Sequence, residues 1–361
     1  MHGGDIYNNR VKYDFSVNLN PYPASWADRK HKNDEHIHRI ANSLAGSLLY
    51  GLDSGQKYPD IDQTELRNDL AGSEGVKIEN VFAGCGASEL LMAVSRVLMP
   101  KTALLIEPCF TGYKHVLSSV GCSNIVRYFL KEEDGFVFTD DVIGCISDDI
   151  DVVFLADPNN PTARNIDPDL LIQIIDAAKS HKTAVVLDES FFDISEGRMR
   201  RSADLMKRYE DIYIIRSYTK SFALPGVRMG YVITSGENIT RIRAQLPEWN
   251  LPSLSESVMS ACAKISEDDR YYSDSMELVR KERDFLIRGL TDLGMTVFDS
   301  DTVFLLIKGP EGLYEKLLRS HILIRKCDDM AGLDGCFYRI AVRDHKANTH
   351  LINTLKRQLK K

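Results

Sequence analysis

The segment Ser217-Tyr218-Thr219-Lys220-Ser221-Phe222-Ala223-Leu224-Pro225-Gly226-Val227-Arg228-Met229-Gly230-Tyr231 carries one amine, a hydroxyl three residues before it and a guanidinium eight residues after it. A lysine held in a cleft beside a cation can lose its proton and form a Schiff base with an aldehyde. Ser217 and Arg228 are the residue types that bind a phosphate. The ligand that suits all three is an aldehyde that also carries a phosphate. Two earlier loops add polar groups, Asn160 in Asp157-Pro158-Asn159-Asn160-Pro161-Thr162 and Asp188 in Asp188-Glu189-Ser190-Phe191. Taken singly, the lysine also reads as a surface residue and the aspartate as a helix cap.

The elements around these loops bring the groups together. Each loop follows a short apolar run, Val152 to Ala156, Ala184 to Leu187 and Ile212 to Ile215. Such runs read as buried parallel strands, and the segments between them, Pro168 to Ser180 and roughly Ala203 to Tyr209, have the lengths of crossover helices. Right-handed crossovers set successive strands side by side, so Asn160, Asp188 and Lys220 are expected at one carboxyl edge, where α/β sheets hold ligands. The phosphorylated aldehyde that uses this set is pyridoxal 5′-phosphate. Asp188 would keep its pyridine nitrogen protonated, Asn160 would donate to its phenolate oxygen, and Lys220 would serve as general base.

Upstream, Gly84-Cys85-Gly86-Ala87-Ser88-Glu89 follows the run Val81 to Ala83 and opens a helical pattern from Leu90 to Leu98. It has two glycines of a dinucleotide fingerprint but not the third, which disfavours a nicotinamide enzyme. A glycine turn feeding a helix amino terminus offers unpaired N–H groups to one phosphate, a role assigned to Gly86, Ala87 and Ser88. The strand Ala103 to Ile106 is followed by Glu107-Pro108-Cys109-Phe110-Thr111-Gly112-Tyr113. Near the carboxyl end, Phe337-Tyr338-Arg339-Ile340-Ala341-Val342-Arg343 reads as a strand. If it stays extended, Arg339 and Arg343 share a face and suit a carboxylate or phosphate.

Ser-x-x-Lys followed by Pro-Gly-Val-Arg-Met-Gly-Tyr resembles the cofactor-lysine segment of fold-type I pyridoxal-phosphate enzymes, in the branch of the class I/II aminotransferase family that holds histidinol-phosphate aminotransferase and threonine-phosphate decarboxylase. Asp14-Phe15-Ser16-Val17-Asn18-Leu19-Asn20-Pro21 and Tyr58-Pro59-Asp60 resemble further segments of that branch, so the likeness covers nearly the whole chain. The resemblance implies that Asn18 and Asn20 lie on the substrate side, that Phe110 stacks on the cofactor ring, and that Arg339 takes the substrate's anionic group. It also implies that Tyr58 reaches the cofactor phosphate of a neighbouring subunit, hence a homodimer with shared sites. His2-Gly3-Gly4, Phe191 in place of a tyrosine, and Arg343 are similar to the decarboxylase. Pro252, where that enzyme usually has asparagine, is not. Cys85 and Ala163 stand where relatives often have asparagine and glycine.

The expected architecture is α/β, a large domain with a mostly parallel central sheet wound by helices plus a smaller α+β domain. Residues 1–45 form an amino-terminal arm joining the small domain, 46–255 the cofactor domain, and 256–361 the small domain, which opens with a long helical pattern from Glu256 to Leu293. The chain of 361 residues has a formal charge of −7, which gives no nucleic-acid footprint. Seven scattered cysteines without CxxC spacing read as reduced thiols, and His31, His36 and His38 as a solvated helical face and not a metal tract. With no membrane-length apolar run and no signal-peptide pattern at the amino terminus, a cytoplasmic protein is expected. The expected activity is amino transfer on a small, phosphorylated amino acid or amine, as in histidinol-phosphate aminotransferase. The alternative is decarboxylation as in threonine-phosphate decarboxylase of cobalamin side-chain synthesis. A non-catalytic binding protein on the same fold would be expected to lack the lysine or to add a DNA-binding segment, and neither is seen.

Overall fold

The apolar runs that end at the three loops are strands buried along their whole length. A computed structural model describes residues 3–22, 35–197 and 201–359; His2 and His31 lie outside them. In chain order the elements are β1 (Tyr13–Asp14), α1 (Glu35–Ser54), α2 (Thr64–Glu74), β2 (Val81–Cys85), α3 (Ala87–Leu98), β3 (Thr102–Glu107), α4 (Gly112–Ser119), β4 (Asn124–Phe129), β5 (Val152–Ala156), α5 (Pro168–Ser180), β6 (Ala184–Asp188), α6 (Ser202–Arg208), β7 (Ile212–Arg216), α7 (Tyr218–Ser221) and β8 (Met229–Ile233). They continue with α8 (Gly236–Arg243), α9 (Ser253–Ile265), α10 (Asp269–Thr291), β9 (Thr296–Val297), β10 (Phe304–Lys308), α11 (Leu313–Arg319), β11 (Ile322–Leu323), β12 (Arg325–Lys326), β13 (Phe337–Ala341) and α12 (His345–Leu359).

The large sheet has the order β2-β8-β7-β6-β5-β3-β4. From β4 to β7 every pairing is parallel, and β8 runs antiparallel to both neighbours. The crossover rule therefore brings β5, β6 and β7 side by side, with Asp188 in register with Ala156 and Ile215. Because side chains alternate across a strand, Val186 packs in the layer with Leu91 and Tyr113, while Leu187 joins Leu171 and Ile174 of α5 in the opposite layer. Asp188 therefore opens toward α3 and α4, and Glu189 toward the other side.

Three expectations change. The pattern from Glu256 to Leu293 is two helices, because Asp268 accepts a hydrogen bond from Arg270 N–H and starts α10 afresh. The carboxyl-terminal arginine strand ends at Ala341, its last residue paired with β10, so Arg343 lies beyond the sheet. His36 is buried on α1, 2.9 Å from Arg39, and not on a solvated face, whereas His38 is exposed.

The carboxyl-terminal elements build an antiparallel sheet, β12-β13-β10-β9, backed by α10, α11 and α12. The amino-terminal arm adds to this unit through parallel pairing of β1 with β11 and through buried Phe15. Helix α9 packs on α1 and α2, whereas α10 packs on α12. We therefore propose a division with the arm through Tyr22, a large unit from α1 to α9 and a small unit from α10 onward. The apolar core runs across that line, since Phe298, Phe304 and Phe337 belong to the same cluster as Leu155 and Leu187.

Behind the loops, Arg216 is 1% exposed and lies 2.8 Å from Glu189, 3.7 Å from Glu74 and 3.9 Å from Asp193, stacked 3.7 Å above the Phe192 ring. Arg201 bridges Glu189, at 3.1 Å, and Asp157. Burial pushes the Glu189 and Asp157 carboxyls above their ordinary range even though both arginines pull them down. Removing one partner strands a buried charge, so Arg216→Met is expected to cost about 3–5 kcal/mol in urea unfolding. A loss below about 1 kcal/mol, the scale of an exposed pair, would show that the cluster does not hold these strand ends.

Candidate active site

A cavity of about 230 Å³ opens at the carboxyl edge of β5, β6 and β7. Lys220, Asp188, Asn160, Phe110, Ala87, Ser88, Ser217, Arg228 and Arg339 all line it. Residues from three parallel loops, from the first turn of α3 and from the small unit thus face one space.

Lys220 sits in the single turn α7, which Ser217 starts by accepting a hydrogen bond from Thr219 N–H. Burial, then the charges of Arg339 and Arg228, lower the Lys220 amine to about 8 against the opposing pull of Asp188. Near neutrality a usable fraction is therefore the nucleophilic free amine. Phe191 lies under it, with its ring centre 5.9 Å from Nζ, and offers no hydroxyl.

Asp188 accepts hydrogen bonds from Tyr113 O–H at 2.7 Å and Ser190 N–H at 3.0 Å. Burial, reinforced by the Asp188 charge, raises the Tyr113 phenol well above its ordinary value, so it remains the donor. The two bonds fix the carboxylate's rotamer while leaving lone pairs for the cavity. Phe110 lines the same space, its ring nearly perpendicular to that of Tyr113 at 5.5 Å.

The first turn of α3 has no side-chain cap, so its backbone donors and the positive dipole end are available to an anion. Gly86 adopts φ +87°, and a Cβ there would lie 2.5 Å from Arg228 Nη2. Only glycine lets the guanidinium come this close to the turn. Ser217 donates to Met229 C=O at 2.9 Å and lies 2.7 Å from Thr219 Oγ1, so any anion contact from Ser217 is shared with Thr219. Thr219 lines the cavity but had no place in the sequence reading.

Arg339 is buried on β13. It donates from Nη1 to Asn160 Oδ1 and from Nη2 to Ser16 C=O at 2.9 Å, while Nε has no hydrogen-bond partner. Among the described residues no carboxylate lies within ion-pair distance of it. Because a guanidinium only donates, it fixes the oxygen end of the Asn160 carboxamide and leaves the NH₂ end for another acceptor. Burial pulls Arg339 down to about 10, so it remains a cation at neutral pH.

Four expected site residues do not line the cavity: Gly86, which lies against Arg228 behind its wall, and Asn20, Arg343 and Tyr58. Asn20 is buried behind the lysine loop, donating from its side chain to Ser221 C=O at 2.9 Å and from its backbone to Lys220 C=O at 3.0 Å, so it positions the loop. Asn18 lines the cavity instead, with both carboxamide atoms buried and unpartnered. Arg343 donates to Asp14 C=O at 2.8 Å, pinning the arm where an extended strand would have aimed it at substrate. Tyr58 is 81% exposed and packs 4.9 Å from Trp249, away from this chain's own cavity. A further buried guanidinium, Arg325, lies in register opposite Arg339. Only the pairing register reveals that the two arginines are neighbours. Tyr113 was missed because its partner lies 75 residues away.

Ala163 adopts φ +63° with its methyl group buried, taking the left-handed backbone that a glycine at this position would favour. The loop thus keeps its shape at some conformational cost. Pyridoxal 5′-phosphate fits this set of groups: an uncapped helix terminus with a glycine cradle and Arg228 for the phosphate, Asp188 for the ring nitrogen, and a buried amine for the aldehyde.

The family model for aminotransferases of class I and II matches residues 16–355. Threonine-phosphate decarboxylase of Salmonella typhimurium is 30% identical over 351 residues, spanning 96% of this chain and 91% of its own. Histidinol-phosphate aminotransferase 2 of Archaeoglobus fulgidus is 27% identical, spanning 94% and 97%. Among solved structures, the histidinol-phosphate aminotransferase of Clostridium acetobutylicum superposes with a TM-score of 0.84 at 27% identity, covering 96% of this chain and 99% of the other. L-threonine-O-3-phosphate decarboxylase of Porphyromonas gingivalis shares the fold, with a TM-score of 0.77 at 22% identity over 96% and 99% of the two chains.

The lowered amine gives a pH signature. Trapping of a small aldehyde on Lys220 by cyanoborohydride, followed on its peptide by mass spectrometry, is expected to rise with pH and level off above about 8. Arg339→Met removes a neighbouring positive charge and should move that inflection upward. An inflection near the ordinary lysine value, unmoved by the substitution, would mean that the amine is not held as described.

Proposed function

The chain belongs to the aminotransferase class I and II family, and we propose that it transfers the amino group of a small amine or amino acid bearing a phosphate. It is a pyridoxal-phosphate-dependent enzyme, an aminotransferase or a decarboxylase of the same branch. The observation that carries the substrate class is Arg339: a buried cation that lines the cavity beside Lys220 with no carboxylate in ion-pair range among the described residues. Such a charge is costly without an anion, and a substrate supplies one.

When bound, pyridoxal 5′-phosphate supplies an electron sink for the bond that breaks at the substrate's α-carbon. Gly86, Ala87, Ser88 and Arg228 hold its phosphate, Asp188 keeps its ring nitrogen protonated, Phe110 covers a face, and Asn160 donates from its NH₂ end. Lys220, as a free amine, takes the α-proton and returns it, with Asn20 and Ser217 fixing its loop. Arg339 decides which bond is spared. In an amine that carries no carboxylate the proton is what leaves, and in an amino acid a carboxylate gripped by Arg339 is retained. If the phosphate of an amino acid takes Arg339, its carboxylate is the group left unheld.

That second outcome, decarboxylation of a phosphorylated amino acid, is favoured by Phe191, which removes a hydroxyl from beside Lys220, and by the similarity to threonine-phosphate decarboxylase. We further propose a homodimer in which Tyr58 completes the partner's phosphate site. Supporting it, Leu49, Tyr50, Leu52, Tyr58 and Trp249 leave apolar surface exposed.

Incubation with histidinol phosphate plus 2-oxoglutarate is expected to form glutamate. Carbon dioxide released from O-phosphothreonine without glutamate formation would overturn amino transfer and establish decarboxylation. In Lys220→Ala the visible absorbance of the lysine-bound cofactor should vanish, and turnover should fall by about 10²–10⁴-fold.

A further inference from the structure

We propose that Asp329 is a built-in competitor for the substrate's second anionic group, occupying the guanidinium of Arg325 until that group displaces it. The inference rests on the reading that the Arg339 side of the cavity receives the substrate's anion. Arg325 and Arg339 are register partners on the antiparallel strands β12 and β13, so their side chains stand on the same face of the small sheet. Two like charges set directly opposite each other repel, and one anion between them relieves both.

The counter-charge in place is Asp329. Its two carboxylate oxygens accept from Arg325 Nη2 at 2.7 and 2.9 Å, while Arg325 Nη1 is bound to Lys326 C=O. Arg325 is only 4% exposed, so almost all of its reachable surface is covered. A carboxylate on a buried guanidinium is the same chemistry that a substrate carboxylate or phosphate would offer.

Asp329 also has somewhere to go. Its side chain is 35% exposed and lines a separate cleft of about 500 Å³ between the segment 328–333 and the large unit. Lys114, His115 and Arg127 stand on the far wall of that cleft, Arg127 shared with Glu107 at 3.8 Å. Neighbouring Asp328 is already held by Lys326 at 2.8 Å. A displaced Asp329 therefore swings from one cation toward others. A ligand with a single anionic group is taken by Arg339 and leaves Asp329 seated. One with two has reason to remove it, so Asp329 sharpens selection for doubly anionic substrates.

Inorganic phosphate is the probe, titrated calorimetrically into the holoenzyme so that the cofactor's own phosphate seat is filled. Asp329→Asn keeps the shape and removes the charge, and should tighten phosphate binding by about tenfold, the worth of one charged hydrogen bond. Asp329→Ser should act in the same direction, and adding Arg325→Met to either should cancel the gain. Unchanged affinity in both Asp329 variants, with Arg325→Met weakening the otherwise unaltered enzyme, would overturn the competitor role alone. Phosphate affinity unaffected by Arg339→Met would overturn the underlying assignment of the anion site.

Discussion

The charged cluster beneath the loops is what the active edge of the sheet depends on. Glu189 and Arg216 each sit beside a cavity residue in the chain, Asp188 and Ser217, and Asp157 directly follows cavity-lining Ala156. Alternation along a strand sends one neighbour into the cavity and the next into the opposite layer, where guanidinium and carboxylate meet out of water. The three loops are thereby fastened from behind by partners that never see a ligand. Burying such charges is costly in itself, and its value lies in what it fixes: a small displacement of any loop would uncouple Lys220 from Asp188.

Above that layer the cavity is electrically lopsided. Lys220, Arg228 and Arg339 face it against the single carboxylate of Asp188. Burial and then that imbalance depress the lysine, and the same imbalance leaves Arg339 wanting a partner. A phosphorylated cofactor and an anionic substrate together bring the charge back toward balance, which accounts for a protein of negative overall charge concentrating cations here.

How much of this could be read from residues alone follows from the range of the interactions. Asn160, Asp188 and Lys220 were legible because each ends a buried run, and the handedness of parallel crossovers makes the rest nearly compulsory. The placement of Ala87 and Ser88 at the cavity was legible because a glycine turn after a buried run opens a helix at the sheet's edge. Arg343 misled because period-two reasoning assumed that β13 continues, whereas pairing stops at Ala341. Asn20 sits two residues from cavity-lining Asn18, and nothing in their shared type says which of the two amides faces inward. Arg325 and Tyr113 act through contacts set by strand register and by sheet-to-helix packing, neither of which leaves a local mark.

The crowding at Gly86 has an evolutionary reading. Since a single methyl group there would collide with the Arg228 guanidinium, the two positions are not free to vary separately: the fitness effect of a change at one is conditional on the residue at the other. Loss of the arginine removes that collision and leaves only the backbone strain that φ +87° imposes on any side chain at position 86. Once such a side chain is established, a regained arginine has to reach the turn by a different path. This is epistasis, and it ties the glycine that opens α3 to the arginine that precedes β8.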